Sequence, residues 1–441
     1  MIHDVASETL ITGATLSNGS RADILIRGGH IAAVGASLSS ANAQRIDADG
    51  LIALPGLVDM HTHLREPGFE QSETVLTGTR AAAAGGFTAV FAMANTSPVA
   101  DTAGVVEQIH SLGEEAGYAT VQPIGAVTVG LAGDRLAELG AMASSRARVR
   151  VFSDDGRCVA DPVLMRRALE YVKVVDGVIA QHAQEPRLTV NAQMNEGELS
   201  GVLGLTGWPA VAEETIIARD VLLAEHVGAR LHVCHVSTAG SVDILRWAKA
   251  RGIAVTAEVT PHHLLLTEDS VAGYDARFKV NPPLRSVDDV TAVRQALADG
   301  TIDIVATDHA PHPIESKDCA WDEAAFGMIG LESALSIVQQ TMVDTELIDW
   351  QRVENVLSIA PARIGRLEHQ GVPITVGSPA ELVLYDPSVT RRWSVGDLAS
   401  KSVNSPYLGR DLPGRVIATI HHGYPTVLNG VLCDSLEENH G

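Results

Sequence analysis

Residues 54–68 read LPGLVDMHTHLREPG. The stretch opens apolar, as a buried strand does, and ends in two histidines one residue apart with an arginine just beyond. Side chains alternate across a strand, so His61 and His63 share a face and Thr62 takes the other. A helix-like stretch, ETVLTGTRAAAAG (73–85), comes next, and then a second apolar run, FTAVFAMAN (87–95). Strand, helix and strand in succession, with polar residues held back to the strand ends, is a unit of parallel sheet.

The unit recurs along the chain. Further apolar runs are ATVQPIGAVT (119–128), RVRVFSDD (148–155), GVIAQHAQ (177–184), ARLHVCHVS (229–237), IAVTAEVTPH (253–262) and IDIVATDHAPH (302–312). Helix-like stretches between them include PVLMRRALEYVKVV (162–175), EETIIARDVLLAEHVG (213–228) and AGSVDILRWAKARG (239–252). Eight such strands predict an α/β fold, a closed (β/α)8 TIM-type barrel over residues 56–370. An open doubly wound sheet is the alternative, but no G-x-G-x-x-G follows a strand, so dinucleotide binding has no support. Both ends of the chain have a different texture. TLITGATL, RADILIRGGHIAAVG and AQRIDADGLIALPG near the start, and AELVLYDP and GRVIATIHHGYPTVLNG near the end, are short β runs broken by glycine. They predict a small β-sandwich built from residues 1–55 plus 371–441.

Composition limits the function. The chain has 441 residues, 46% of them hydrophobic, enough for a large core. A net charge of −22 with no basic run speaks against nucleic acid. Four scattered cysteines without a C-x-x-C predict a reducing, cytoplasmic setting. The opening MIHDVASETL has no basic region and no long apolar run, so no signal peptide is expected there, and no apolar stretch reaches membrane-spanning length.

The polar residues of the barrel strands fall at their C-terminal ends: His61 and His63, Asn95, Asp154 and Asp155, His182, His235, His262 and His263, and Asp308, His309 and His312. In a barrel these ends meet at one face, where catalytic groups sit. Neutral imidazole and carboxylate are good donors to zinc and similar ions, and four histidines with one or two aspartates suffice for two ions sharing a carboxylate. By alternation His235 goes with Leu231, Val233 and Ser237, and His232 and Cys234 take the other face. Cys234 is therefore read as a small buried residue and not as a ligand.

VDMHTHLREPG, MANTSP, FSDDG, CHVSTAGS, EVTPHHLLL, KVNPPLR, ATDHAPH, FGMIGLESAL and SKSVNSPYLGRDLPGRV together resemble the bacterial class I dihydroorotases of the amidohydrolase superfamily. The resemblance implies reversible cyclisation of N-carbamoyl-L-aspartate to L-dihydroorotate in pyrimidine synthesis. It implies two zinc ions, one on His61 and His63, the other on His182 and His235. Many superfamily members bridge their metals with a carboxylated lysine. Here the fourth strand offers only VFSDDGRC, and the resemblance implies Asp155 as the bridge in preference to Asp154, with Lys173 a weak rival. Asp308 is implied as a ligand and as the proton shuttle serving a zinc-bound hydroxide. Arg65, Asn95 and His312 are implied to hold the substrate carboxylate, and Asn281 and Gly327 the ureido edge of the ring. Residues 312–330 are expected to form a mobile loop over the site. The chain departs from the family pattern at Ala94 and Ala325, where proline is usual; neither position is a ligand.

Two other readings stay open. One is a sister cyclic amidase (hydantoinase, dihydropyrimidinase or allantoinase), whose substrates lack the ring carboxylate that Arg65 would meet. The other is a non-catalytic partner of aspartate transcarbamoylase, although such chains have lost metal ligands that are all present here. Association with aspartate transcarbamoylase, or with further copies of the chain, is compatible with either.

Overall fold

Eight short parallel strands run in chain order around a ring: Leu57–Thr62, Phe87–Ala92, Thr120–Pro123, Val151–Phe152, Val178–Gln181, Leu231–Val233, Val255–Val259 and Ile304–Val305. The computed structural model describes residues 8–433, so part of the opening segment judged to lack a signal peptide lies outside the described residues. Each strand pairs with its neighbour in parallel register. Single bridges from Gly125 to Phe152 and from Thr62 to His309 close the ring. This is the (β/α)8 barrel, not an open sheet.

Helices Val75–Ala84, Pro162–Val174, Val211–Val227 and Ala239–Ala250 fall within two residues of the ends read from sequence. Local chemistry starts them. Thr74 and Thr238 accept hydrogen bonds from the first-turn amides of Thr77 and Ser241. Asp161 caps the helix Pro162–Val174 ahead of Pro162, whose missing N–H costs nothing in a first turn.

Alternation along the strands sorts their side chains into two apolar layers. Leu57, Phe87, Val90, Phe152, Ile179, Leu231 and Val233 face outward and are buried against helix residues such as Ala81, Leu169, Val221 and Leu245. Val58, Met60, Ala89, Phe91, Val151, Ala180, Cys234 and Ile304 fill the barrel interior. Full burial of each large side chain contributes about 1.5–3 kcal/mol.

The termini form one nine-stranded sheet. Ile52–Pro55 pairs antiparallel with Leu382–Arg392, which joins the two ends of the chain. Glu8–Leu16 pairs in parallel with Gln44–Asp47 along one half and with Ile52–Pro55 at its end. This branch lets the sheet fold over its own core of Ile11, Ile24, Ile26, Ile46, Leu382, Leu384 and Ile420, making the sandwich. Val383, Tyr385 and Val416 turn the other way and join the barrel's outer layer. Between Leu382–Arg392 and Asp411–His421 the chain leaves the sandwich and crosses the barrel mouth, where Ser400, Ser402 and Asn404 bond to the barrel loops. Among the described residues no helix is long and apolar enough to cross a membrane.

Candidate metal centre

The first barrel strand does not alternate to its end. Asp59 sits opposite Val90, but Thr62 sits opposite Ala92, so three steps on one strand match two on the other. This bulge turns His61 and His63 into the barrel mouth although Leu57 and Asp59 face outward. Asp59, fully buried, holds the bulge in place. Its Oδ1 accepts from the amides of His61 and Thr307, both at 3.0 Å, and its Oδ2 accepts from the Thr307 hydroxyl. One carboxylate thus ties the H-x-H strand to the segment that carries Asp308.

The imidazoles converge on Asp155. Its Oδ1 lies 3.3 Å from His61 Nε2, 3.2 Å from His182 Nδ1 and 3.4 Å from His235 Nε2, and its Oδ2 lies 3.3 Å from His63 Nε2. Asp308 Oδ1 approaches His63 Nε2 at 3.1 Å and His61 Nε2 at 3.4 Å. Two donor groups result, His61/His63/Asp155 and Asp155/His182/His235, with Asp155 common to both. Tetrahedral donors about 2.1 Å from an ion stand about 3.4 Å apart, so these spacings suit metal shells. His61 Nε2 is buried and has no hydrogen-bond partner among the described residues, as a ligand nitrogen requires.

The charge balance asks for a cation as well. Burial pushes the Asp308 carboxyl up, but His61 and His63 outweigh it and hold its pKa at about 2. Burial likewise opposes ionisation of Asp155, and His61, His182 and His235 hold it well below the usual carboxylate range. Burial works against a charged His61, yet Asp155, Asp308 and Glu258 draw its pKa well up. A surplus of buried carboxylate is what divalent ions neutralise.

The candidate ligand rings are fixed from behind. Glu258 Oε1 accepts from His61 Nδ1 at 2.6 Å, Asn95 Oδ1 from His63 Nδ1 at 2.9 Å and Gln184 Oε1 from His182 Nε2 at 2.8 Å. These bonds leave His61 Nε2, His63 Nε2 and His182 Nδ1 for metal. Glu258 and Asp59 were not singled out from sequence. Each is an acid inside an otherwise apolar strand run, and that oddity was the available signal.

Adjacent Asp154 has another task. Its Oδ1 accepts from the amides of Val127 and Thr128 at 2.8 and 2.9 Å, and its Oδ2 accepts from the Thr128 hydroxyl. Lys173 is exposed and donates to the Val227 carbonyl at 3.0 Å, away from the mouth. The face assignment made by alternation for His235 and Cys234 needs correction. Leu231 and Val233 do face the helices, but the strand stops at Val233 and His235 takes a left-handed φ of 31°. That turn brings His235 inward, and Cys234 lies in the interior layer near His61 and Glu258. Burial keeps the Cys234 thiol strongly protonated. His262 is buried with its Nε2 unpartnered, and His263 is bonded to Thr260 and to the Pro282 carbonyl.

Arg65 stands beside the cluster with a φ of 66°. Its Nε donates to the Pro311 carbonyl at 3.0 Å, and among the described residues it has no carboxylate within ion-pair reach. Burial lowers its pKa to about 10, still fully cationic at neutral pH. His312 Nε2 donates to the Phe326 carbonyl at 2.8 Å, and burial pulls its pKa to about 3, so it is neutral. Asn281 Nδ2 donates to Gln184 Oε1 at 3.1 Å, while its Oδ1 is buried and unpartnered. Gly327, at φ 129°, lies against His312: a Cβ there would come within 3.0 Å of His312 Nε2. The segment 312–330 is tied down by Lys317, whose ammonium reaches the carbonyls of Ala276, Lys279 and Ala325 at 3.0, 3.2 and 2.7 Å.

A family model described as dihydro-orotase-like matches residues 50–241. A dihydroorotase of Leifsonia xyli subsp. xyli is 74% identical over 427 residues, covering 97% of this chain and 98% of that protein. One from Streptomyces coelicolor is 65% identical, covering 97% and 100%, and one from Mycobacterium tuberculosis is 54% identical, covering 93% and 96%. Among solved structures, the L-hydantoinase of Arthrobacter aurescens superposes with a TM-score of 0.85 at 24% identity, covering 97% of each chain. The dihydropyrimidinase of Brevibacillus agri gives 0.82 at 24% identity, covering 96% of each chain. At that identity the solved structures speak for the fold alone.

Proposed function

Because this chain belongs to the dihydroorotase family of metal-dependent amidohydrolases, we propose that it interconverts N-carbamoyl-L-aspartate and L-dihydroorotate in pyrimidine biosynthesis. The observation that carries this choice of substrate is Arg65, a cation at the barrel mouth with no protein carboxylate paired to it among the described residues. A guanidinium fork matches a carboxylate in a bidentate pair, and the ring carboxylate is what separates dihydroorotate from hydantoins and dihydropyrimidines.

His61, His63 and Asp308 would hold one zinc ion, and His182 and His235 a second, with Asp155 between them. Zinc held by these residues would supply Lewis acidity, acidifying an attacking water and polarising the ring amide carbonyl. The protein's own groups do the rest. In ring opening, Asp308 takes the proton from the attacking water and passes it to the departing ring nitrogen. In ring closure the ureido nitrogen attacks the side-chain carboxylate, Asp308 takes the nitrogen's proton and passes it to the departing carboxylate oxygen, and with one further proton from solvent that oxygen leaves as water.

Arg65 grips the exocyclic carboxylate, and Asn95 adds its free amide N–H while its oxygen steers His63. His312 joins this contact only by exchanging its bond to the Phe326 carbonyl, so Arg65 dominates. The unpartnered Asn281 Oδ1 accepts a ureido N–H, and the backbone at Gly327 meets the same edge. Filled ligand positions favour catalysis over a purely structural role beside aspartate transcarbamoylase.

The test is ring opening followed by absorbance with L-dihydroorotate, hydantoin and dihydrouracil, with and without a chelator. Chelator-sensitive turnover of L-dihydroorotate well above the other two is expected. An Arg65→Met protein should lose that preference through a raised KM. Faster turnover of hydantoin or dihydrouracil would sink the assignment.

A further inference from the structure

The C-terminal segment SKSVNSP (400–406) resembles the family pattern, yet none of the roles above uses it. It is a strap laid over the barrel mouth and pinned along its length. Glu73 accepts from the Ser400 hydroxyl and from the Lys401 amide at 3.0 Å, and Ser402 Oγ donates to the Ser72 carbonyl at 2.7 Å. Glu332 accepts from the amides of Ala399 and Ser400.

Asn404 is the strap's point of contact with the substrate end of the site. It is 3% exposed. Its Nδ2 donates to the carbonyls of Ala310 at 2.9 Å and Gly327 at 3.3 Å, and its Oδ1 accepts from the His312 amide at 3.2 Å. Residues 310–312 and 327–329 are the two stems of the loop that follows the last barrel strand. The backbone bond from Ala310 N to the Met328 carbonyl at 2.9 Å and the His312 side-chain bond to the Phe326 carbonyl join the two sides, and the Asn404 side chain adds three more ties. Arg65 hangs on the first stem through the Pro311 carbonyl. Only a carboxamide offers two donors and an acceptor in this arrangement; aspartate keeps the acceptor and loses both donors.

We infer that Asn404 is a positioning residue for substrate selectivity: it sets the spacing of the two loop stems, and so places Arg65 and His312 to receive a ring carboxylate. This rests on the reading of Arg65 as the carboxylate site. It links the module built from the chain termini to the chemistry in the barrel.

The experiment is steady-state kinetics of the full-length, metal-loaded enzyme with Asn404→Ala, Asn404→Asp and Asn404→Gln, alone and combined with Arg65→Met. Metal content and melting temperature are measured on each variant. Asn404→Ala and Asn404→Asp should raise KM for L-dihydroorotate by about tenfold while kcat and metal content stay close to wild type, with Asn404→Gln intermediate. In the Arg65→Met background the same substitutions should add little, because residues acting through one contact are not additive. A fall in kcat with KM unchanged, a loss of metal, or full additivity with Arg65→Met would overturn the inference. If Asn404→Ala does not fold, the near-isosteric Asn404→Asp carries the test. If Arg65→Met itself leaves KM unchanged, the carboxylate reading fails; if it raises KM and the Asn404 variants do not, the inference fails alone.

Discussion

Glu258 Oε1 stands 2.6 Å from His61 Nδ1, and its other oxygen accepts from His232 Nε2 at 2.9 Å. Both atoms of one buried carboxylate are therefore spent on holding imidazoles, one of them a candidate ligand. Such a carboxylate fixes the tautomer and aim of the ring and raises its basicity. Glu258→Gln is expected to weaken metal binding by about 10–100-fold without removing any donor to the metal. Competition with a graded series of chelators measures this. Unchanged affinity would mean that Glu258 serves packing alone.

Asp154 and Asp155 are neighbours with opposite tests. Asp155 touches all four candidate ligand imidazoles, so Asp155→Ala should empty the site and abolish turnover, with little change in the fold of the metal-free protein. Asp154→Ala instead strands the buried amides of Val127 and Thr128. It should cost about 1–3 kcal/mol of stability and leave metal content near wild type. Metal analysis and thermal melts on the two proteins decide the matter; a metal-free Asp154→Ala protein would reverse the roles.

The barrel and the cluster of candidate ligands at its mouth were legible because they follow repeating rules. Strand–helix alternation marks a parallel ring, and donors gathered at strand ends mark its mouth. What alternation missed is local. The bulge between Asp59 and Thr62 and the positive φ at His235 and Asp308 break the period of two at the places where ligands must turn inward. The runs 148–155 and 302–312 likewise shrink to Val151–Phe152 and Ile304–Val305, and Asp155 and Asp308 lie beyond the ends of the paired ladder. Glu258, Asp59 and Asn404 escaped notice because their partners are distant in sequence, 197 positions away for His61 and Glu258. Spacing within a motif carries no trace of such pairs.

Lys317 tests how firmly the loop over the site is fixed. Its ammonium satisfies three carbonyls, one of them Ala325 within the loop and two, Ala276 and Lys279, outside it. Lys317→Met keeps most of the stem and removes every donor, leaving those oxygens to find water. The loop should become a preferred site of limited proteolysis between residues 313 and 326, and KM should rise more than kcat falls. Digestion at the wild-type rate would show that the surrounding contacts, such as the Lys279 ammonium 4.5 Å above the Phe326 ring, suffice.

The sandwich carries a separate titrating pair. Buried Glu381 accepts from His421 Nδ1 at 2.8 Å through one oxygen, and from His422 Nδ1 and the His422 amide, both at 3.0 Å, through the other. Its hydrogen bond to Glu381 raises the His422 pKa. Burial works to raise the Glu381 pKa, but His421 and His422 outweigh it and bring it below the usual value. The two signs differ. A raised histidine stabilises the fold fully below its unfolded pKa of about 6.5 and loses that contribution as pH climbs through the folded value. A lowered glutamate stabilises above its unfolded pKa of about 4.3 and loses its contribution as pH falls through the folded value. Both contributions are present together between about pH 5 and 6.5, and the histidine's is lost as pH climbs above its folded value. His422→Ala should therefore lower the melting temperature at pH 6 and change it much less at pH 9. Melts of the two proteins at both pH values give the comparison, and an equal drop at pH 6 and pH 9 would show that the His422 ring acts by packing, not by charge.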